Sequence, residues 1–297
     1  MKRKIYLDYT QEELDRQYEH RSIVPEGDKF IAQTEEESNR VRETAKGLFD
    51  VEYGLGAEQL LDIYTTEKKG PSPVVIFFHG GRWSRGSKSS NIESLKIYNT
   101  NGILFVSVGF TLIPHITMDS LVAQCREAIV WLWKNAHAYS GNRDQFFVFG
   151  KSSGAHLAGM MVVTNWSNKF DLPRNLIKGG LLVSGMYDLE PVRLSFRNSF
   201  LKLNESEAFR NSPILQIPNG GCPLVIGFGS KETDEFQRQS RTFAEAWKKK
   251  GLKCGLVKVE GHHHFSINTE MCNANGTLVS SFLKLIGQKV FNKLKIL

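Results

Sequence analysis

Seven short runs along the chain are apolar at almost every position: 60–66 (LLDIYTT), 74–80 (VVIFFHG), 103–110 (ILFVSVGF), 145–150 (QFFVFG), 179–185 (GGLLVSG), 223–230 (PLVIGFGS) and 254–261 (CGLVKVEG). Several are rich in Val, Ile and Phe and lack the polar alternation of a half-solvated strand, which suits strands covered on both faces of a parallel sheet. Between them the spacing changes to a helical one. Residues 120–136 place Leu121, Cys125, Ile129 and Leu132 on one face, 152–166 begin small and apolar, 235–251 are amphipathic up to Gly251, and 280–294 close the chain. Strands alternating with helices predict an α/β fold with a mainly parallel central sheet flanked by helices. Residues 11–46 are rich in Glu, Arg and Gln, and their helical pattern breaks at Pro25-Glu26-Gly27. This segment, 1–46, reads as an N-terminal arm or cap. No repeat and no Pro/Gly/Ser-rich linker divides the 297 residues, so a single domain over 1–297 is expected.

Composition narrows the classes. At 41% hydrophobic and 23% charged residues, the chain has material for a sizeable core. The net charge of +7 raises the question of nucleic acid, but the basic residues are scattered. The densest run, Lys248-Lys249-Lys250, ends an expected helix, where lysines favour the negative end of the dipole. Without a basic stripe, a nucleic-acid partner is not expected. The four cysteines lie far apart with no CxxC pair, which argues against a zinc ribbon or a disulfide framework. The start lacks the apolar segment of a signal peptide, and no stretch of about 18 apolar residues offers a membrane span. The expectation is a reduced, cytoplasmic, soluble protein, with a homodimer compatible with it.

Four stretches carry candidate chemistry. In FVFGKSSGAHLAG a strand runs through Gly150-Lys151-Ser152-Ser153-Gly154 into a helix, the context in which G-x-S-x-G forms a nucleophile elbow. Ser152 stands at the nucleophile position, and Ser153 follows at the helix start, where its backbone N–H can face an oxyanion. In VVIFFHGGRWSRGS a strand ends in His79-Gly80-Gly81-Arg82-Trp83, a loop whose N–H groups, from Gly81 and its neighbour Arg82, are candidates for an oxyanion hole. His79 is read as a brace for that loop rather than a catalyst. After the last strand come His262-His263-His264-Phe265, where a Ser–acid–His chain order puts the base. His264, just before Phe265, is the choice. The acid is sought between serine and histidine: Glu232 and Asp234 both follow the strand ending at Gly229, with Glu232 nearer its end and Asp234 suited to the helix start. The adjacent histidines have no acidic or Cys/His partner at ligand spacing, so no metal is expected, and the chemistry calls for no organic cofactor.

With these motifs in place, the chain resembles the kynurenine formamidase (arylformamidase) family of α/β hydrolases, relatives of the hormone-sensitive-lipase-like esterases. The resemblance rests on the HGGxW motif at His79 to Trp83, G-x-S-x-G at Gly150 to Gly154, Glu232 followed by Glu235-Phe236-Gln237-Arg238-Gln239-Ser240, and His264-Phe265. Gln17-Tyr18-Glu19-His20-Arg21 is similar to the family's N-terminal YxxR segment. It implies an α/β-hydrolase fold with Ser152 as nucleophile, Glu232 as acid and His264 as base, and the spacing to the His-Phe pair favours Glu232 over Asp234. It further implies hydrolysis of an aryl formamide such as N-formylkynurenine, with Trp83 or phenylalanines available to stack on the aryl group. The chain departs from the family pattern at Glu232 (more usually Asp), at Arg82 (more usually aromatic) and at Lys151 and Ser153. The same residues would serve a carboxylesterase for short acyl chains. A non-catalytic binding protein on this fold would lack a triad member.

Overall fold

The computed structural model describes residues 3–288. Eight strands form one sheet: β1 (Gly47–Glu52), β2 (Leu60–Tyr64), β3 (Ser72–Phe78), β4 (Leu104–Val108), β5 (Gly141–Lys151), β6 (Ile177–Val183), β7 (Leu224–Gly229) and β8 (Cys254–Val259). Their spatial order is β1-β2-β4-β3-β5-β6-β7-β8. β2 pairs antiparallel with both β1 and β4, and every pairing from β4 through β8 is parallel.

Each of the seven apolar runs overlaps one strand, β2 to β8. Burial on both faces explains their continuity in all but β8, an edge strand that stays partly exposed. In β3, Val74, Ile76 and Phe78 join the core on one side of the sheet, while Val75 and Phe77 join the core on the other. β5 repeats this with Phe146 and Val148 against Phe147 and Phe149. Helices Met118–Asn135, Ser153–Val163 and Asp234–Lys249 cover the first face, and Leu95–Thr100 and Thr277–Ile286 cover the second. The strand absent from the sequence reading is β1. Its sequence GLFDVE is mostly exposed, its pairing with β2 shifts register between Leu48 and Val51, and Asp50 sits there at a φ of 58°. An edge strand of this kind leaves no apolar run.

The helix expected over 280–294 runs from Thr277 to Ile286 and stops at Gly287, whose φ of 88° closes it; 289–294 lie outside the described residues. Within residues 11–46 two helices form, Gln11–Tyr18 and Gly27–Thr44, interrupted around Pro25. The first is fixed at its start by a capping box between Thr10 and Glu13. Among the described residues no helix is long and apolar enough to cross a membrane.

Because β3, β5, β7 and β8 run parallel, the loops that leave their C-terminal ends emerge along one edge of the sheet. That edge is where open α/β sheets bind ligands. The loops carry residues 79–83, Ser152, Glu232 and His264 respectively.

Candidate active site

Ser152 joins β5 to the Ser153–Val163 helix with φ 56° and ψ −125°. This is a sparsely populated conformation for a residue with a side chain, held here only because its surroundings fix it. The flanking glycines are required by close approach. A Cβ on Gly150 would overlap the Gly154 carbonyl, and one on Gly154 would overlap the Phe78 carbonyl at the end of β3. The turn is therefore as tight as backbone contact allows.

The Ser152 hydroxyl and His264 Nε2 are 3.0 Å apart, and His264 Nδ1 lies 3.2 Å from Glu232 Oε2. The Glu232 side chain is buried. Its other oxygen accepts from the Gly229 N–H at 2.8 Å and from the Ser184 hydroxyl at the end of β6. Asp234 is exposed in the first turn of its helix, where a negative charge favours the positive end of the dipole. The other two histidines of the triplet serve the turn. His262 Nδ1 pairs with the Ser266 carbonyl, and His263 Nδ1 accepts from the N–H groups of Phe265 and Ser266.

Burial governs the charges of this group. It pushes the Glu232 carboxyl up to about 7, against the opposing pull of its Ser184 and Gly229 hydrogen bonds and of Lys151. It holds the His264 imidazole well below its ordinary range, with the Lys151 and Arg197 cations adding to the effect. For His264 the favoured neutral form is the one able to accept a proton.

The loop after β3 lies against Ser152: a Cβ on Gly80 would stand 3.5 Å from Ser152 Cβ. Gly81 (φ 124°), Arg82 (φ 59°) and Trp83 (φ 59°) all have left-handed backbone. At Gly81 a side chain would also strike the Arg85 carbonyl. The backbone N–H groups of Gly81, Arg82 and Ser153 donate to no acceptor among the described residues. His79 is buried, its Nδ1 2.8 Å from the Gly80 carbonyl and its ring stacked on Phe110 at 4.4 Å, so it braces the loop. Trp83 departs from the expectation of aryl stacking. It is 1% exposed and donates from Nε1 to His156 Nδ1 at 3.1 Å, which turns it into the core and away from the cavity. A large ring at the end of a loop packs inward when a buried acceptor meets its N–H.

Above Ser152 lies a cavity of about 230 Å³. Gly80, Gly81, Ser152 and His264 form its floor, and the Arg82 and Lys151 side chains stand where floor meets wall; Phe265, Asn268, Arg197 and the arm residues Tyr18, His20, Phe30 and Thr34 contribute to its walls. The aromatic lining comes from Phe30, Phe265 and Tyr18 rather than Trp83. The charged lining is unbalanced: Arg82, Arg85, Lys151 and Arg197 stand beside Glu19 and Glu35, while Arg21 is paired with Asp28 at 2.6 Å. Arg197 is 1% exposed and lies over the Tyr18 and Phe236 rings, and among the described residues neither it nor Arg82 has a carboxylate at ion-pair distance. Lys151 Nζ donates to Asn268 Oδ1 at 2.6 Å, and burial lowers its ammonium to about 8. Arg197, Asn268 and Ser184 escape a reading of the sequence, since none stands at a motif position; His20 lies in the 17–21 segment, whose similarity to a YxxR pattern does not single it out. Lys151 had a signal: a charged residue at the second position of an otherwise apolar, buried elbow.

The BD-FAE family model matches residues 61–179. The chain is 34% identical over 257 residues to a kynurenine formamidase of Danio rerio, covering 84% of this chain and 86% of that one. It is 32% identical over 297 residues to the kynurenine formamidase of Salmo salar, covering 95% and 99%. Among solved structures, an esterase of Pyrobaculum calidifontis superposes with a TM-score of 0.71 at 17% identity, covering 88% of this chain and 93% of that one, which establishes the α/β-hydrolase fold. The chain is a hydrolase of amide or ester bonds and belongs to the kynurenine formamidase family.

Proposed function

We propose that the chain hydrolyses an aryl formamide such as N-formylkynurenine through a formyl-enzyme intermediate on Ser152. The observation that carries this reading is the continuous relay of Ser152, His264 and Glu232, at 3.0 and 3.2 Å, beneath a loop with uncommitted N–H groups. Ser152 Oγ attacks the formyl carbon while His264 Nε2 takes the hydroxyl proton. Glu232 faces the imidazolium that forms. The N–H groups of Gly81, Arg82 and Ser153 receive the oxyanion. On collapse the C–N bond breaks, and His264 returns the proton to the departing aryl amine. Water then attacks the formyl ester, His264 takes its proton, and formate leaves with Ser152 restored.

Two features of the walls support an aryl, acid-bearing leaving group. Phe30 and Phe265 offer apolar faces to a ring. Arg82, Arg85, Lys151 and Arg197, which have no carboxylate at ion-pair distance among the described residues, favour a substrate with a negative charge, which the amino-acid end of N-formylkynurenine supplies. Four free cysteines support action in a reducing compartment such as the cytoplasm. The test is turnover of N-formylkynurenine beside p-nitrophenyl acetate. The formamide should give the higher kcat/KM; negligible formamide cleavage beside strong ester cleavage would instead establish a short-acyl carboxylesterase.

A further inference from the structure

The N-terminal arm reaches the catalytic group itself. Gln17 accepts from the Thr233 hydroxyl through its carbonyl (2.9 Å) and from the Glu235 N–H through its side chain (3.0 Å). The Tyr18 hydroxyl donates to Glu235 Oε1 at 3.3 Å, and the Tyr18 carbonyl accepts from Arg197 Nη2 at 2.7 Å. Residues 17 and 18 are thus bolted to the segment that presents Glu232. Two positions further on, the His20 ring lies on the His264 ring, with centroids 3.9 Å apart and 9° between their planes. Phe236 meets both imidazoles edge-on, at 4.4 Å from His20 and 4.8 Å from His264.

His20 is 6% exposed, and neither ring nitrogen has a hydrogen-bond partner among the described residues. Unpaired nitrogens make imidazole a poor choice for filling space alone. What the ring does offer is a flat π surface parallel to the base. Its burial keeps it uncharged beside His264. Once His264 accepts the Ser152 proton it becomes a cation lying on that surface in a site of low dielectric, an attraction absent while His264 is neutral. An interaction made only as the reaction proceeds raises kcat and leaves KM unchanged. The same stack fixes the ring plane that lets Nε2 address Ser152 while Nδ1 addresses Glu232.

We propose that His20 of the N-terminal arm is a positioning residue for His264, its stacked ring holding the plane of the base and stabilising the imidazolium formed during catalysis. The proposal rests on the reading of Ser152, His264 and Glu232 as the catalytic group. Its test compares His20→Leu and His20→Phe in the full chain, with kcat and KM on the preferred substrate and the thermal midpoint of each variant. His20→Leu should lower kcat about thirtyfold, the worth of one desolvated cation–π contact, with KM within about twofold. His20→Phe, which restores a flat ring without nitrogens, should recover most of that loss. Should His20→Leu fail to fold, His20→Gln supplies a non-aromatic side chain in its place. Full kcat in the non-aromatic variant, a loss confined to KM, or a His20→Phe chain as impaired as His20→Leu would each overturn the proposal. A Ser152→Ala chain measured alongside separates the two claims. If Ser152→Ala retains activity the catalytic reading itself fails, and if it is inactive while His20→Leu keeps full kcat only the role of His20 fails.

Discussion

The floor and the walls of the cavity are built by different means. The floor is backbone. Gly80 and Gly81 after β3, and Ser152 between Gly150 and Gly154 after β5, come from adjacent parallel strands whose ends approach so closely that a Cβ on Gly154 would strike the Phe78 carbonyl. The walls are side chains from distant parts of the chain: His20 and Phe30 from the arm, Arg197 from a short helical segment, Phe265 from the turn after β8 and Asn268 from the helix Ile267–Met271 that follows it. A floor of backbone tolerates almost no substitution and serves any acyl transfer. A wall of side chains exchanges residues freely and decides which leaving group fits. This division accounts for a family whose motifs sit at the floor while this chain carries Arg82 and Lys151 at the points where floor meets wall.

Perturbing the floor should cost the most. Glu232→Ala removes the group that orients His264, and kcat should fall by about 10⁴-fold, as for the acid of other triads. Asp234→Ala, exposed two residues away, should leave kcat within about twofold. Steady-state kinetics on both variants checks the contrast, and the reverse order would reassign the acid. Gly81→Ala forces a side chain onto a φ of 124° and into the Arg85 carbonyl, displacing an N–H from the oxyanion position. Its kcat should drop by about 10²-fold with little change in KM, the signature of one lost oxyanion donor.

Wall changes should be smaller and should discriminate between substrates. Arg82→Ala keeps the backbone N–H but removes a half-buried guanidinium without an ion-pair partner. The kcat/KM for N-formylkynurenine should fall about tenfold, while that for neutral p-nitrophenyl acetate stays nearly constant. Equal losses on both would show that Arg82 holds the loop rather than the substrate. The smallest effect concerns Lys151, whose ammonium burial lowers to about 8. It is charged below that pH and neutral above it, so the cavity loses one positive charge as pH rises through about 8. KM for the acid-bearing substrate should rise across that interval and flatten in Lys151→Met; a KM–pH profile of both proteins reads this.

The same division explains what was legible in the sequence. The glycines of the floor are local in the chain and surround their functional residue, and the apolar runs that precede them are continuous because both faces of the sheet are covered. Ser152, Gly81 and the choice of His264 could therefore be read from a few residues each. β1 could not, because an exposed edge strand has no apolar periodicity. Trp83 was placed in the pocket by its motif, but whether a ring turns inward depends on a buried acceptor, His156, more than 70 positions away. His20, Arg197 and Asn268 reach the cavity only through packing of segments far apart in the chain, as in the His20–His264 stack, the Arg197–Tyr18 bond and the Lys151–Asn268 bond. No spacing rule along one chain reports such contacts.

The central claim is that Ser152 is acylated. Incubation with a fluorophosphonate, followed by intact-mass and peptide mass spectrometry, tests it most directly. The account predicts one adduct per chain, located on Ser152 rather than Ser153, and no adduct and no turnover in Ser152→Ala. Labelling at another residue, or turnover surviving in Ser152→Ala, would contradict it.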